Sequence, residues 1–313
     1  MQPLSLVQSL SFVAPCSIAA LVVASIALHR LRWCDRTVPF YAVALLITVV
    51  AYVALSILME SGSPVSEMLH FMFVGGGKNR RCLFVCWLAC ATSTGTVFSL
   101  ATDPKQPYNA NVRKFFHFVV SLVFVSGALK DRALLFVASL MVTGLFVLFE
   151  CTRALSIRPL SAPIHSAVRR FIDHQDTDAL ILTPIYLLCG TFLPIWLDHS
   201  GFQSEPTPKL RHFSGVVAVG FGDSAAALIG RSYGRRKWPK SAHKTVEGTA
   251  AMVVAQLAAF FLVAGLLDFS VSFATVLRWI LVSVLVALVE VWTTEMDNIV
   301  LPLVMCALLG WIS

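Results

Sequence analysis

An aspartate stands inside an otherwise apolar stretch, in the run Gly220-Phe221-Gly222-Asp223-Ser224. An ionisable side chain within a membrane helix is costly, so it usually has a partner and a function. At a rise of 1.5 Å per residue, Asp223 is predicted ~12 Å inside the end of its helix. A carboxylate at that depth must be protonated, paired with a cation or bound to a metal. Asp223 is therefore the first candidate for chemistry, and a packing ion pair between helices is the alternative.

A loop rich in cations follows this helix. Its lysines and arginines are Arg231, Arg235, Arg236, Lys237, Lys240 and Lys244. Together with neighbouring glycines and hydroxyls they suit a polyphosphate, although a topology anchor or an anionic-lipid contact explains the charge equally well. Position favours the polyphosphate, because Asp223 and Glu247 bracket the loop as candidate Mg²⁺ ligands. Nucleotide phosphates are usually bound together with that metal.

Further polar side chains are predicted at the same end of the helices. Arg113 and His117 lie one turn apart at the start of a helix. The others are Lys114, Glu150, Glu290, Glu295, Asp297 and Asn298. Each could singly be an interface residue or a helix cap, which is the favoured interpretation of Glu150 and Glu295. Together they predict a metal–nucleotide site at the cytosolic membrane boundary. His70, His165, His199 and His212 have no metal-ligand spacing, and we expect them in loops.

The elements that position these residues are membrane helices. Of the 313 residues, 57% are hydrophobic and only 13% are charged, which excludes a soluble enzyme or a disordered tail. The sequence predicts an all-α polytopic membrane protein with about ten transmembrane helices, each about 20 residues long. The predicted segments are 10–29, 38–58, 82–101, 115–129, 133–151, 179–197, 214–230, 248–267, 276–294 and 299–312.

The charge distribution predicts the orientation of these helices. The formal net charge is +7, and about two thirds of the 24 lysines and arginines fall in one alternating set of loops. The positive-inside rule places that set, which includes the loop after Asp223, in the cytosol. The basic excess therefore indicates a lipid bilayer and no nucleic acid as the partner. The eight cysteines show no disulfide or zinc spacing, and we expect small packing residues.

Several ordered motifs resemble the CTP-dependent polyprenol kinase family, and dolichol kinases within it. Arg113-Lys114-Phe115-Phe116-His117 is similar to that group's opening motif. The run 222–226, followed by Trp238-Pro239, Lys244-Thr245 and Glu247-Gly248-Thr249, resembles its CTP-binding region. Thr293-Thr294, Asp297-Asn298 and Pro302 are similar to its closing motif, and 181–188 and 193–197 also resemble dolichol kinase. The resemblance covers roughly 111–305; His243 stands where a second lysine is common, and the spacing before Lys244 is slightly long.

The resemblance implies transfer of the γ-phosphate of CTP to dolichol, giving dolichyl phosphate for protein glycosylation, at the cytosolic face of the endoplasmic reticulum. Asp223, His117 and Lys244 would be catalytic, and Asp223, Glu290 and Asp297 would hold Mg²⁺. The nucleotide would contact Arg113, Lys114, Arg235, Arg236, Lys237, Lys244, Thr245, Glu247 and Gly248. We expect a membrane-embedded kinase region at 111–313 and N-terminal membrane helices without an assigned motif at 1–110.

Other functions stay open at this point. The protein could phosphorylate another isoprenoid alcohol, such as phytol or farnesol, because the sequence does not size the tail pocket. A CTP-dependent cytidylyltransferase would release pyrophosphate instead. A membrane transporter could use Asp223 as an ion site, although no inverted repeat is visible and the basic loop would be unexplained. An intramembrane aspartyl protease is disfavoured, since Tyr186 is followed by Leu187 and not by a second aspartate.

Overall fold

A computed structural model describes residues 5–30, 36–60, 63–101, 110–168, 180–198, 208–239, 244–293 and 296–312, without the side chains of 97–101, 110–113 and 312. Every regular element in these ranges is helical, as predicted. The α-helices are α1 (Leu6–Arg30), α2 (Thr37–Met59), α3 (Pro64–Phe73), α4 (Gly77–Ala101), α5 (Ala110–Lys130), α6 (Arg132–Ala154), α7 (Ser161–Val168), α8 (Thr183–Leu197), α9 (Ser224–Tyr233), α10 (Val246–Leu266), α11 (Phe273–Trp292) and α12 (Asp297–Ile312). A 3₁₀ turn, Leu210–Phe213, and a π-helix, Val216–Asp223, precede α9.

Nine of the ten predicted segments each overlap one α-helix, and the segment 214–230 covers the π-helix and most of α9. Six helical stretches in the described residues are long and apolar enough to cross a membrane: Leu6–Arg30, Thr37–Met59, Arg132–Ala154, Leu210–Tyr233, Val246–Leu266 and Phe273–Trp292. Two further apolar helices, Thr183–Leu197 and Asp297–Trp311, are shorter. A multi-pass membrane protein follows from these stretches, and the number of ten crossings stays a prediction. The short helices α3 and α7 were not predicted, because neither is long enough to cross a membrane.

The chain divides into two compact units. The first comprises Met1–Tyr108 and Lys130–Ile185, and in it α1 packs against α2 and α6. Its buried cluster contains Leu28, Phe40, Leu155 and Ile157. Two carboxylates of this unit are paired with arginines: Arg80 Nε lies 2.5 Å from Asp131 Oδ2, and Glu150 forms an ion pair with Arg153 at 2.6 Å. Glu150 also accepts from the Ile181 amide at 2.7 Å, which bears out the structural interpretation of that carboxylate.

The second unit comprises Asn109–Leu129 and Tyr186–Ser313, and it contains the candidate site. In it, α10 packs against α9, the π-helix and α11, while α12 packs against α11 and the π-helix. Aromatic rings fill its core: Phe124 contacts Phe192 and Phe213 at centroid distances of 5.8 and 5.6 Å, and Phe260 stacks on Trp279 at 5.3 Å. These contacts fix the helices that carry the polar side chains.

The π-helix Val216–Asp223 ends at the aspartate that the sequence singles out. Such wide turns within a helix are frequently found at functional sites. Its glycines allow close packing, because a Cβ at Gly222 would lie 2.7 Å from the Gln256 amide nitrogen and one at Gly220 would collide with the Ser121 hydroxyl. The two glycines are visible in the sequence, whereas the π form of the helix is not.

A glycine also brings α8 against α12. A Cβ added to Gly190 would collide with the backbone oxygen of Asn298, which cannot rotate away as a flexible side chain could. We therefore expect Gly190→Ala to lower the free energy of unfolding by about 1–3 kcal/mol, measured by denaturant or thermal unfolding in detergent. In Gly265→Ala the new Cβ meets nothing within 4 Å, so stability should be unchanged or slightly raised. Equal stabilities of the two variants would contradict this packing.

Four histidines were predicted to be loop residues, and for three of them that prediction is wrong. His70 lies in α3 and His165 in α7, while His199 lies outside the described residues. His212 is the third. It lies in the 3₁₀ turn with 1% of its surface exposed. Its Nε2 donates to Asp198 Oδ2 at 2.6 Å and its Nδ1 accepts from the Lys209 amide at 3.1 Å. The imidazole therefore ties the end of α8 to the start of the next helical stretch, at the end of this unit opposite Asp223.

Candidate active site

Asp223 is buried and paired with a lysine from another helix. Its carboxylate, at the end of the π-helix, accepts a short hydrogen bond from the Lys114 ammonium, and 6% of the residue surface is exposed. The same ammonium lies 3.5 Å from the Asp223 backbone oxygen. Lys114 can make this contact because it lies near the start of α5, beside the end of the π-helix. The pair satisfies the requirement that a buried carboxylate be neutralised.

A second buried carboxylate is paired in the same way. Glu290, near the end of α11, is 3% exposed and accepts a short hydrogen bond from the Lys244 ammonium just before α10. Burial alone would lower the pKa of Lys244, but the carboxylates of Glu290 and Asp223 outweigh burial and raise the pKa above its usual value. Lys244 is therefore a cation throughout the neutral pH range.

The two ion pairs form one electrostatic unit. The Lys244 ammonium interacts with Asp223 and Asp297 as well as with Glu290. We call Lys114, Asp223, Lys244 and Glu290 the charge cluster; two ammonium groups and two carboxylates make its formal charge zero. Chain segments from four different parts of the second unit supply these groups. Charges so arranged can receive a highly charged ligand, because each lysine can pass from a carboxylate to a phosphate oxygen.

His117 lies one turn after Lys114 on α5 and is 1% exposed. Its Nε2 lies 3.1 Å from Oδ1 of Asn298, which is also buried, on α12. Since an amide oxygen only accepts hydrogen bonds, Nε2 carries the proton in this contact. His117 also lies near enough to Asp223 to interact with it electrostatically. Asn298 therefore orients the imidazole beside the charge cluster, a pairing that the sequence did not reveal.

The basic loop is folded back on the start of α10. The Val246 amide donates to the Arg236 oxygen at 2.8 Å, and the Trp238 amide donates to the Lys244 oxygen at 3.2 Å. The Trp238 indole donates to the Thr249 hydroxyl at 3.0 Å. The side chains of Arg235, Arg236 and Lys237 are exposed on this loop, whereas 240–243 lie outside the described residues. Three cations are thus held next to the lysine of the charge cluster.

The start of α10 anchors this loop. Thr245 caps the helix by accepting from the Gly248 amide at 3.2 Å. The Glu247 carboxylate accepts from the amides of Arg235 and Arg236 at 3.1 and 3.2 Å. A recess of about 420 Å³ opens beside it, lined by Ser232, Tyr233, Gly234, Arg235 and Glu247. Glu247, predicted as a nucleotide-binding residue, therefore touches the loop backbone and lines a recess.

The anchoring by Glu247 leads to a prediction. Without the carboxylate in Glu247→Ala, the amides of Arg235 and Arg236 lose their acceptor, and the exposed basic loop should open more often. Trypsin should then cleave after Arg235, Arg236 or Lys237 about tenfold faster than in the unsubstituted protein. Mass spectrometry of the fragments over time measures the cleavage rate at each position. Glu247→Gln, which keeps an accepting oxygen, should give an intermediate rate. Glu67→Ala, an exposed acid on α3, is the matched control; cleavage equal to that of Glu67→Ala would contradict the anchor.

The carboxylates of the charge cluster are compatible with Mg²⁺. No group of three His, Cys, Asp or Glu side chains in the described ranges forms a ready-made metal site. Mg²⁺ is, however, commonly bound by one or two carboxylates together with substrate phosphates and water. Asp223 and Glu290 offer that donor set. The third predicted ligand, Asp297, accepts from the Asn298 amide at 2.8 Å in the first turn of α12.

Gln256 is a polar residue of this region that the sequence analysis missed. It is fully buried on α10, against Gly222, and neither its amide oxygen nor its nitrogen has a hydrogen-bond partner among the described residues. The sequence could have identified this glutamine as a candidate site residue, because a polar group in the middle of an apolar helix is costly. By contrast, the side chain of Arg113 lies outside the described residues, so its predicted contact with nucleotide has no structural counterpart.

Comparison with known families gives a single result. The family model described as "Dolichol kinase" matches residues 32–256. The chain is 38% identical to dolichol kinase of Mus musculus over 259 residues, which is 79% of this chain and 48% of that protein. It is 34% identical to dolichol kinase of Homo sapiens, over 79% of this chain and 47% of that protein. Identity to "Dolichol kinase EVAN" of Arabidopsis thaliana is 31%, over 79% and 43%.

The chain thus spans about half the length of the curated relatives that it matches. No solved structure matches it. The matched region includes Asp223 and the basic loop, and it ends within α10, before Glu290.

Proposed function

The chain belongs to the dolichol kinase family, and on that premise we propose that it transfers the γ-phosphate of CTP to the hydroxyl of dolichol. The observation that carries the proposal is the charge cluster: two buried carboxylates and two ammonium groups beside an exposed basic loop. Phosphoryl transfer needs mostly positioning and neutralisation of charge, and this arrangement supplies both.

Each residue of the site has a proposed task. Lys244, with Arg235, Arg236 and Lys237, binds the phosphate oxygens of CTP, and Lys114 and Arg113 support them from α5. Asp223 and Glu290 are the oxygen donors for Mg²⁺, with Asp297 as a further acid near Lys244. A metal held there would supply positive charge that neutralises the phosphates during transfer. Thr245, Glu247 and Gly248 hold the loop and the start of α10 in place.

The acceptor is proposed to reach the same cluster from the bilayer. The dolichol hydroxyl lies at headgroup level, while its isoprenoid tail stays against the apolar helices of the second unit. His117, oriented by Asn298, lies beside Asp223 and orients the hydroxyl or accepts its proton as the oxygen attacks. Dolichol loses this proton and gains the phosphoryl group, and CDP leaves.

The proposed setting is the endoplasmic reticulum membrane, with about ten helices crossing it and the nucleotide site facing the cytosol. Dolichyl phosphate made there would serve protein glycosylation. Within the chain, 111–313 would be the kinase region and 1–110 would be N-terminal membrane helices. The cytosolic position rests on the basic loops, since Arg235, Arg236 and Lys237 are exposed beside the charge cluster.

A panel of acceptors tests the substrate class. The purified protein, in detergent with Mg²⁺ and CTP labelled at the γ-phosphate, is offered dolichol, farnesol or phytol at equal concentration. We expect label in the lipid phase with dolichol at a rate at least tenfold above that with the shorter alcohols. Preferential labelling of farnesol or phytol would replace dolichol by another isoprenoid alcohol, and transport activity without nucleotide dependence would overturn the kinase proposal.

A further inference from the structure

A second cavity lies at the end of the second unit that is farthest from the charge cluster. Helix α10 starts beside Lys244 and runs to Leu266, a length of about 30 Å for its 21 residues. Beyond its end, a cavity of about 500 Å³ opens between the 3₁₀ turn, the α10–α11 connection and the end of α12. This cavity is therefore separate from the proposed kinase site.

The lining of the cavity combines cations with apolar walls. Lys209, Arg211 and Arg278 contribute three positive charges, and none of the described residues that line it is acidic. Arg211 Nη2 lies 3.4 Å from the carboxylate of Asp198 behind the wall. Lys209 stands just before the 3₁₀ turn and Arg278 lies in the second turn of α11. The charges are thus gathered at the helix ends, where a membrane helix meets the lipid headgroups.

The other face of the cavity is apolar and rigid. Trp279 is buried and stacks on Phe260 with an interplanar angle of 21°, so its ring is a fixed wall. Val282, one turn further into the bundle, and Leu309, near the end of α12, continue this wall towards the membrane interior. A small soluble anion could bind the cations but would leave this apolar wall exposed.

We propose that this cavity binds an anionic membrane phospholipid. The phosphate headgroup lies against Lys209 and Arg278, and an acyl chain runs along Trp279, Val282 and Leu309. An anionic phospholipid fits this lining, because its phosphate can accept charge-assisted hydrogen bonds from the cations while its acyl chain covers the apolar wall. The ligand stabilises the second unit from the membrane side opposite the charge cluster and is neither donor nor acceptor in the transfer.

Native mass spectrometry of the purified protein tests the proposal without relying on enzyme activity. The probes are phosphatidylglycerol, phosphatidylcholine with matched acyl chains, and inorganic phosphate. We expect phosphatidylglycerol to remain bound at concentrations at which phosphatidylcholine does not. Each of Lys209→Gln and Arg278→Gln should weaken that binding about fivefold, and the double variant more than tenfold.

Two further variants test whether the binding depends on the cations that line the cavity and on the space beside its apolar wall. Lys130→Gln removes an exposed cation at the end of α5 that does not line the cavity, and it should leave the binding unchanged. Leu309→Trp keeps every cation but fills the apolar part, so it should also weaken the binding. Equal retention of the two phospholipids, no effect of the Lys209 and Arg278 substitutions in protein with unchanged thermal unfolding, or displacement of the lipid by inorganic phosphate alone would each overturn the proposal.

Discussion

The variant Asp223→Asn should lose phosphoryl transfer by at least about 100-fold, the scale on which one electrostatic contact to a transition state matters. Asparagine has the size of aspartate, but it lacks the charge that pairs with Lys114 and that is proposed to hold Mg²⁺. The measurement is the initial rate of label transfer from γ-labelled CTP to dolichol at saturating substrates. Because the side chain keeps its shape, kcat should fall far more than the KM for dolichol rises.

Asp268→Asn is the matched control for this variant. Asp268 follows α10 at the opposite end of the same unit and has a positive φ of 51°, a conformation that asparagine tolerates well. We expect its transfer rate to equal that of the unsubstituted protein. Substantial activity in Asp223→Asn, in protein that unfolds at the same temperature as the control, would remove Asp223 from the chemistry and leave it as a packing ion pair.

The second large effect concerns the pair of Lys244 and Glu290. Lys244→Gln leaves the buried Glu290 carboxylate without its ammonium, at a cost on the order of 3 kcal/mol of unfolding free energy. The double variant Lys244→Gln/Glu290→Gln removes both charges and should recover most of that stability. Transfer should nevertheless stay at least about 100-fold below that of the unsubstituted protein, because the proposed phosphate and metal contacts are both gone.

This double variant distinguishes an ion pair that only stabilises the fold from one whose residues take part in phosphoryl transfer. Thermal unfolding in detergent and the transfer rate are measured on both single variants and on the double variant. If the pair only held α10 against α11, activity would return together with stability. Return of activity in the stable double variant would therefore contradict the proposed roles of Lys244 and Glu290.

Much of this architecture could be predicted from the sequence. Because polar groups are costly in a bilayer, membrane helices appear as long apolar segments that are easily recognised. All ten predicted segments overlap helices, and Asp223 stands out since a carboxylate in an apolar run needs an explanation. The residues of the charge cluster were also predicted to lie at one depth, because alternating helices return them to the same side.

The partners of these residues could not be predicted in the same way. Which ammonium meets which carboxylate depends on the rotation and packing of helices that are distant in sequence: Lys114 and Asp223 are 109 residues apart, and His117 and Asn298 are 181 apart. The contact of Gly190 with the Asn298 backbone has the same origin. His212 looked like a loop residue because its partner, Asp198, lies beyond the intervening segment. Helical periodicity describes one helix at a time, whereas these contacts belong to pairs of helices.

The most direct test of the central claim compares CTP labelled at the γ-phosphate with CTP labelled at the α-phosphate. Purified protein is incubated with dolichol and Mg²⁺, and label in the lipid phase is followed over time. The account predicts that γ-label enters dolichyl phosphate and that α-label stays in the aqueous phase as CDP. Entry of α-label into the lipid would instead show a cytidylyltransferase, and absence of label from either donor in folded protein would contradict phosphoryl transfer by the charge cluster.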